Sequence, residues 1–178
     1  NINTIITSKK CLTGTDRIAE VAKRIKKDFY INVQGDEPMC NPNDIKKIIE
    51  YAKKNSNQVI NGFTEIKDKK QFYSPNIPKV VFDNDYNLMY MSRSPIPSNK
   101  KKQYIKAWRQ VCIYSFSYKS LKNYISVAKK TNLETIEDLE SIRFIELGYK
   151  VKMLKMSNKS VAVDTKEDLL KVRKLVKR

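Results

Sequence analysis

A short, largely apolar run without in–out alternation, Phe29–Val33, leads straight into Gln34-Gly35-Asp36-Glu37-Pro38 and then into Asn41-Pro42. A strand that is apolar on both faces must be covered on both, which is the signature of a buried parallel strand. Asn41 suits a helix N-cap and Pro42 a first helical turn. Ile45, Ile48, Ile49 and Ala52 then recur at helical spacing, so the unit is strand, tight loop, helix. Such a unit buries itself only in an α/β layer architecture.

The rest of the chain repeats the alternation. Residues 3–7 read as a short strand, and residues 16–26 as an amphipathic helix with Ile18, Val21, Ala22 and Ile25 on one face. Val59–Glu65 is a strand. Lys79–Phe82 and Leu88–Ser92 flank the turn residues 83–87 as an antiparallel hairpin. Residues 94–104 form a loop with two prolines and a lysine run, and 111–116 form another strand. Helices are expected at 118–128 and 136–147, the second opened by Thr135 and Asp138 in capping-box spacing and closed by Gly148. A strand at 151–156 and a helix at Lys166–Val176, opened by Thr165 and Asp168, complete the pattern. The expected fold is a mostly parallel central sheet flanked by helices, with one antiparallel hairpin.

Composition narrows the chemistry. With 178 residues, 40% of them apolar, the chain can bury one real core. No apolar run reaches the roughly 20 residues that span a bilayer, and Asn1-Ile2-Asn3-Thr4-Ile5-Ile6 has no basic start or small-residue cleavage site, so the expected compartment is the cytoplasm. The three cysteines, Cys11, Cys40 and Cys112, are dispersed, and histidine is absent. A zinc site, a disulfide framework and histidine-based catalysis are therefore set aside in favour of carboxylates, Lys, Arg, Tyr, Ser or a metal held by oxygen. The net charge of +17 comes from lysines spread along the whole chain rather than gathered in a stripe with aromatics. We read it as solvated faces, which would also suit anionic small-molecule substrates, ahead of nucleic-acid binding.

Four segments could carry chemistry. Gly35 lets the backbone turn closely at the carboxyl end of a strand, where open α/β sheets bind ligands, and Asp36 would offer hard oxygen to Mg²⁺. Locally, a plain strand-to-helix turn explains the same residues equally well. Asp164 repeats the arrangement after Val161-Ala162-Val163, as a second metal ligand or as a helix-dipole carboxylate. Gly14-Thr15-Asp16-Arg17 opens a helix, as an anion site or as a simple cap. Ser92-Arg93-Ser94-Pro95 ends a strand with a guanidinium that could fork onto a carboxylate. Glu140 and Arg143, three apart, read as a local ion pair. There is no GxGxxG or P-loop spacing to cradle phosphate.

Together these stretches resemble the 3-deoxy-manno-octulosonate cytidylyltransferase family (CMP-Kdo synthetases). The matching segments, in family order, are residues 13–21, 32–38, Pro75-Asn76 with Lys79-Val80-Val81, 92–97, Ile113-Tyr114, Leu139-Glu140 with Arg143, and Val163-Asp164-Thr165 with Glu167-Asp168-Leu169. The resemblance implies transfer of CMP from CTP to an acidic octulosonate with release of pyrophosphate, for lipopolysaccharide synthesis. It implies one domain over residues 1–178, Mg²⁺ as cofactor and a homodimer, with residues 79–97 as a contact surface. It assigns Asp36 and Asp164 to catalysis and metal binding, Gly14 and Arg17 to the nucleotide, and Gln34, Arg93, Gln110, Tyr114 and Glu140 to the sugar. CTP and the sugar acid Kdo are the implied partners, with no nucleic acid and no membrane insertion. The family's opening strand and its Arg- and Lys-bearing triphosphate loop have no counterpart in these residues, so the chain alone is expected to turn over little. Gln110, Cys112 and Ser141 replace the family's usual histidine, glycine and glutamine. That leaves the acid open to a relative such as an 8-amino octulosonate. A nucleic-acid module and a catalytically silent family member are the competing readings.

Overall fold

The computed structural model describes residues 2–158, 162–163 and 165–176. Residues 2–12 form no strand, so the one expected at 3–7 is absent. No named strand pairs with this segment, and it is tied instead to the first helix. Arg17 Nη1 donates to Thr7 Oγ1 at 2.9 Å and to the Ser8 carbonyl at 3.1 Å, and the Ser8 N–H donates to Glu20 at 2.9 Å. That helix, α1 (Gly14–Arg24), begins two residues before the expected start because Thr13 caps it. The Asp16 N–H donates to Thr13 Oγ1 at 3.2 Å, and the Thr13 N–H donates to Asp16 Oδ2 at 2.8 Å. Its buried face is Thr15, Ala19 and Ala22; Ile25 lies beyond its last turn and is 43% exposed.

The elements that follow are β1 (Phe29–Val33), α2 (Pro42–Lys54), β2 (Val59–Glu65), α3 (Lys69–Tyr73), β3 (Lys79–Phe82), β4 (Leu88–Ser92) and β5 (Trp108–Ser117). Then come α4 (Tyr118–Tyr124), α5 (Asn132–Glu137), α6 (Ser141–Glu146), β6 (Val151–Lys155) and α7 (Lys166–Val176). The short α3, capped by Asp68 accepting from the Lys70 N–H at 2.8 Å, has no counterpart among the expected elements. The single helix expected at 136–147 is two, because Asp138 takes a left-handed conformation (φ 51°, ψ 49°). The capping pair is Thr131 and Glu134 rather than Thr135 and Asp138: the Thr131 N–H donates to Glu134 Oε2 at 3.1 Å. Gly148, at φ 80°, does end α6, and Thr165 with Asp168 does cap α7.

The six strands form one sheet in the order β4-β3-β5-β2-β6, with β1 also on β5. β5 runs antiparallel to β1, β2 and β3, and β4 antiparallel to β3, while β2 and β6 are parallel. Thus β1, β2, β3 and β6 share one direction, as expected of the sheet, but β5 in the middle opposes them. β1 is therefore paired antiparallel at the sheet's margin rather than parallel within it. The pairing is mixed because the chain returns through the hairpin before entering the centre.

β5 packs against helices on both of its faces. Val111 and Ile113 face α2, packing with Ile48 and Ala52. Tyr114 and Phe116 face α1, α4 and α6, packing with Ala22, Leu121, Ile142 and Phe144. Helices thus cover both faces, and the functional cleft must open at an edge.

Candidate active site

That edge lies on β5. β1 pairs with residues 113–117 and β3 with Trp108 and Arg109, both on the side of β5 away from β2. Between them, Gln110, Val111 and Cys112 have no strand partner on that side. The chain fills the break piecemeal. The Gln110 N–H donates to the Pro78 carbonyl at 3.0 Å, the Cys112 carbonyl accepts from the Gln34 N–H at 3.4 Å, and the Cys112 N–H donates to Glu37 Oε1 at 3.1 Å. A cavity of about 670 Å³ opens at this break, with Gln34, Asp36, Gln110, Tyr114 and Glu140 among its walls.

The loop after β1 supplies one wall. Gln34 Nε2 donates to Glu140 Oε1 at 2.7 Å, and the Thr15 N–H at the start of α1 donates to Glu140 Oε2 at 2.8 Å. Burial pushes the Glu140 carboxyl up from its ordinary range, against the pull of the Thr15 bond. Gly14 is where this pair needs space: a Cβ there would sit 3.3 Å from Gln34 Nε2 and 3.6 Å from Glu140 Oε2. Gly14 therefore supports the Gln34–Glu140 contact. Arg17, assigned to the nucleotide by resemblance, points to Thr7 and Ser8 instead. Glu140 and Arg143 do not pair with each other. Arg143, fully buried, forks onto Glu134 at 2.6 and 2.7 Å, reaches Asp16 at 3.3 Å and stacks on Tyr124. Glu140 immediately precedes α6 and faces the cleft, whereas Arg143 lies a turn further on and faces the helices.

Asp36 is exposed at the lip, and its side chain takes no hydrogen bond among the described residues. Its carbonyl accepts from the Val163 N–H at 2.9 Å. Asp164 lies outside the described residues. Gln110 is buried with its amide nitrogen within reach of Asn61 Oδ1 (2.9 Å), Tyr114 Oη (3.1 Å) and Ser141 Oγ (3.4 Å). Two of the positions that depart from the family pattern, 110 and 141, are therefore in contact. Tyr114 is sealed off, and burial pushes its phenol well above the ordinary range.

Arg93 closes the opposite wall. Its Nε donates to the Glu137 carbonyl at 2.8 Å, Nη1 to the Pro75 carbonyl at 3.1 Å and Nη2 to the Asp138 carbonyl at 3.1 Å. A guanidinium has five N–H donors; these bonds use three, and Nη2 also lies 3.9 Å from Asp138 Oδ2. Glu137 is committed to this wall too: it accepts from Ser92 Oγ at 2.6 Å and the Arg93 N–H at 2.8 Å. The hydrogen bonds from Ser92, Arg93 and Tyr90 hold its carboxylate below the ordinary range despite desolvation.

Sequence reasoning missed Glu37, Arg109 and Lys130. Glu37 is 3% exposed where it plugs the unpaired Cys112 amide, and burial pushes its carboxyl up against the pull of that bond. Only the β1–β5–β3 arrangement reveals that task. Lys130 belongs to a lysine run read as solvated, yet it reaches Asp138 at 2.5 Å on the cleft wall. No group of three metal-ligating side chains occurs among the described residues, and at the lip only the donor type bears on a hard cation. Asp36 offers oxygen, and the thiols of Cys40 and Cys112 are held protonated by burial.

Comparison with known proteins bears on the family and the fold. The family pattern described as cytidylyltransferase matches residues 1–165. A 3-deoxy-manno-octulosonate cytidylyltransferase of Thermodesulfovibrio yellowstonii is 36% identical over 180 residues, covering 93% of this chain and 70% of that protein. One from Fusobacterium nucleatum is 37% identical over 175 residues, covering 97% and 71%. Among solved structures, a CMP:2-keto-3-deoxy-manno-octonic acid synthetase complexed with CTP superposes with a TM-score of 0.83 at 30% identity, covering 93% of this chain and 68% of that one. On this pattern, these relatives and this fold, the chain belongs to the cytidylyltransferase family, with the 3-deoxy-manno-octulosonate cytidylyltransferases as its relatives.

Proposed function

We propose that the cleft transfers CMP from CTP to 3-deoxy-manno-octulosonate for lipopolysaccharide precursor synthesis. The anomeric hydroxyl of the sugar acid attacks the α-phosphorus and gives up its proton to solvent, the new C–O–P linkage forms, the bond to the β-phosphate oxygen breaks, and pyrophosphate leaves. The carrying observation is the convergence of Gln34, Arg93, Gln110, Tyr114 and Glu140 on one cavity with Asp36 at its lip. The Arg93 guanidinium faces the sugar carboxylate in this reading. The Gln34–Glu140 pair fixes an amide and a carboxylate against sugar hydroxyls, so catalysis rests on positioning. Asp36, with Asp164, would hold Mg²⁺; bound there, the ion supplies neutralising charge to phosphate oxygens. The protein acts in the cytoplasm, where CTP is made, and no helix among the described residues is long and apolar enough to cross a membrane. We place a homodimer contact on residues 79–97, where Met89 is 63% exposed on β4.

The test is dependence rather than speed. Pyrophosphate should appear only when CTP, Mg²⁺ and the octulosonate are all present, and Asp36→Asn should reduce it by about 100-fold or more. Release without the sugar, or no binding of either substrate by calorimetry, would refute the reading. Sedimentation of the same preparation checks the dimer.

A further inference from the structure

Asn61 sits on β2 with no exposure at all, behind the cavity rather than on its surface. It stands at a break in register. Asn61 pairs with Tyr114 but Gly62 pairs with Val111, so Cys112 and Ile113 bulge from β5 without β2 partners. The bulge leaves carbonyls facing inward, and Asn61 meets them: its Nδ2 donates to the Val111 and Ile113 carbonyls, both at 3.1 Å. With both amide protons directed at carbonyl oxygens, the other atom of the Asn61 amide is an acceptor.

That settles the next side chain in line. The Gln110 amide atom 2.9 Å from Asn61 Oδ1 must be the nitrogen, since the flipped amide would set two carbonyl oxygens against each other. The same nitrogen faces Tyr114 Oη and Ser141 Oγ. Gln110 Oε1 is left with no hydrogen-bond donor among the described residues, yet it is not among the sealed, unpartnered atoms. Gln110 lines the cavity, so its oxygen is what it presents there. A glutamine amide neither titrates nor carries charge, and with its nitrogen engaged it can only accept.

We propose that Asn61 is a positioning residue for substrate selection: by locking the Gln110 amide it turns Oε1 into a fixed, uncharged acceptor that selects a sugar acid carrying a hydrogen-bond donor at that point. The inference rests on the function proposed above and adds a chemical requirement to it. The acid must bring a hydroxyl or an ammonium group, not an acceptor, to Gln110. Ser141, small and hydroxylic, is the neighbour that leaves the glutamine room.

The experiment compares octulosonate with analogues lacking one hydroxyl each, in the wild type, Gln110→Met and Asn61→Ser. The wild type should lose about tenfold in kcat/KM with one particular analogue, the value of one good hydrogen bond at about 1.4 kcal/mol per factor of ten. Gln110→Met should bind the parent acid about tenfold more weakly and lose that discrimination. Asn61→Ser should match it without touching substrate, with the KM for CTP unchanged. An Asn61→Ser enzyme that discriminates like the wild type, or that weakens for CTP and sugar alike, overturns the proposal. Should that variant fail to fold, the ¹⁵N side-chain amide of Gln110 in the wild type decides. Slow proton exchange is expected, and fast exchange overturns the lock. A wild type that binds no octulosonate sinks the proposed function, while the amide measurement still judges the lock separately.

Discussion

Lys79 has no exposed surface, and its Nζ donates to the Ser74 carbonyl at 2.8 Å and to the Arg93 carbonyl. Burial first, then the Arg93 guanidinium, lower the ammonium to about 8, with Glu137 opposing. A neutral amine keeps two N–H donors, one for each carbonyl, so deprotonation costs no hydrogen bond. The unfolded chain holds this proton up to its ordinary value near 10.5, and the folded chain releases it near 8. Between those values the unfolded state binds more protons, so stability rises with pH. Buried Cys112 and Tyr114 pull the other way in this window, so the readout is a difference: in urea unfolding the stability of the wild type relative to Lys79→Met should rise on the order of 2 kcal/mol from pH 8 to pH 10, and a pH-independent difference would show the proton sits elsewhere. Residues of this kind mark the limit of reading one sequence. Gln34, Arg93, Tyr114 and Glu140 could be named in advance because each belongs to a recognisable segment, and Gln110 because it departs from the family pattern; the fold brings all five to one cavity. Asn61, Glu37 and Lys79 act through long-range contacts, with partners 49, 75 and 14 positions away, which no local pattern encodes.

At the scale of elements, strands were legible where apolar runs end in turn residues: β1, β2, β3 and β4 have the expected bounds. Helices were less so, because their ends depend on which acidic residue turns back to cap. The break at Asp138 shows why. Its left-handed conformation is set by Lys130 at 2.5 Å and by the Arg93 guanidinium bonded to its carbonyl, neither of which belongs to the helix pattern. Two substitutions separate backbone from charge. Asp138→Ala loses the ion pair and forces an ordinary side chain into that conformation, an expected cost of about 1–2 kcal/mol in urea unfolding. Asp138→Gly loses the same pair but relieves the backbone, so it should fall within about 0.5 kcal/mol of the wild type. Equal losses in both would assign the break to the ion pair alone.

For the whole molecule, the open question is what a net charge of +17 does. The fold gives it two separable tasks. Inside the cleft, Arg93, Arg109 and Lys130 stand on walls built by β4, β5 and the α4–α5 connection, and each is held by named partners. Outside it, Lys100 and Lys101 are exposed on the loop after β4 with no ion-pair partner among the described residues. Exposed charges act through a screened field, with a Debye length of about 10 Å at 0.1 M salt. A fixed cleft senses salt mainly through how fast an anion arrives. Replacing Lys100 and Lys101 together by Gln should therefore change the dissociation constant for CTP by less than about twofold. The same pair should weaken adventitious binding of single-stranded DNA and flatten its salt dependence by roughly one phosphate contact per lysine removed. Titrations of both ligands at two salt concentrations check this. A nucleic-acid module would instead hold DNA at nanomolar strength, show a steep salt slope and leave CTP unbound. Lysines dispersed along the whole chain favour the outcome in which DNA affinity collapses and CTP affinity does not.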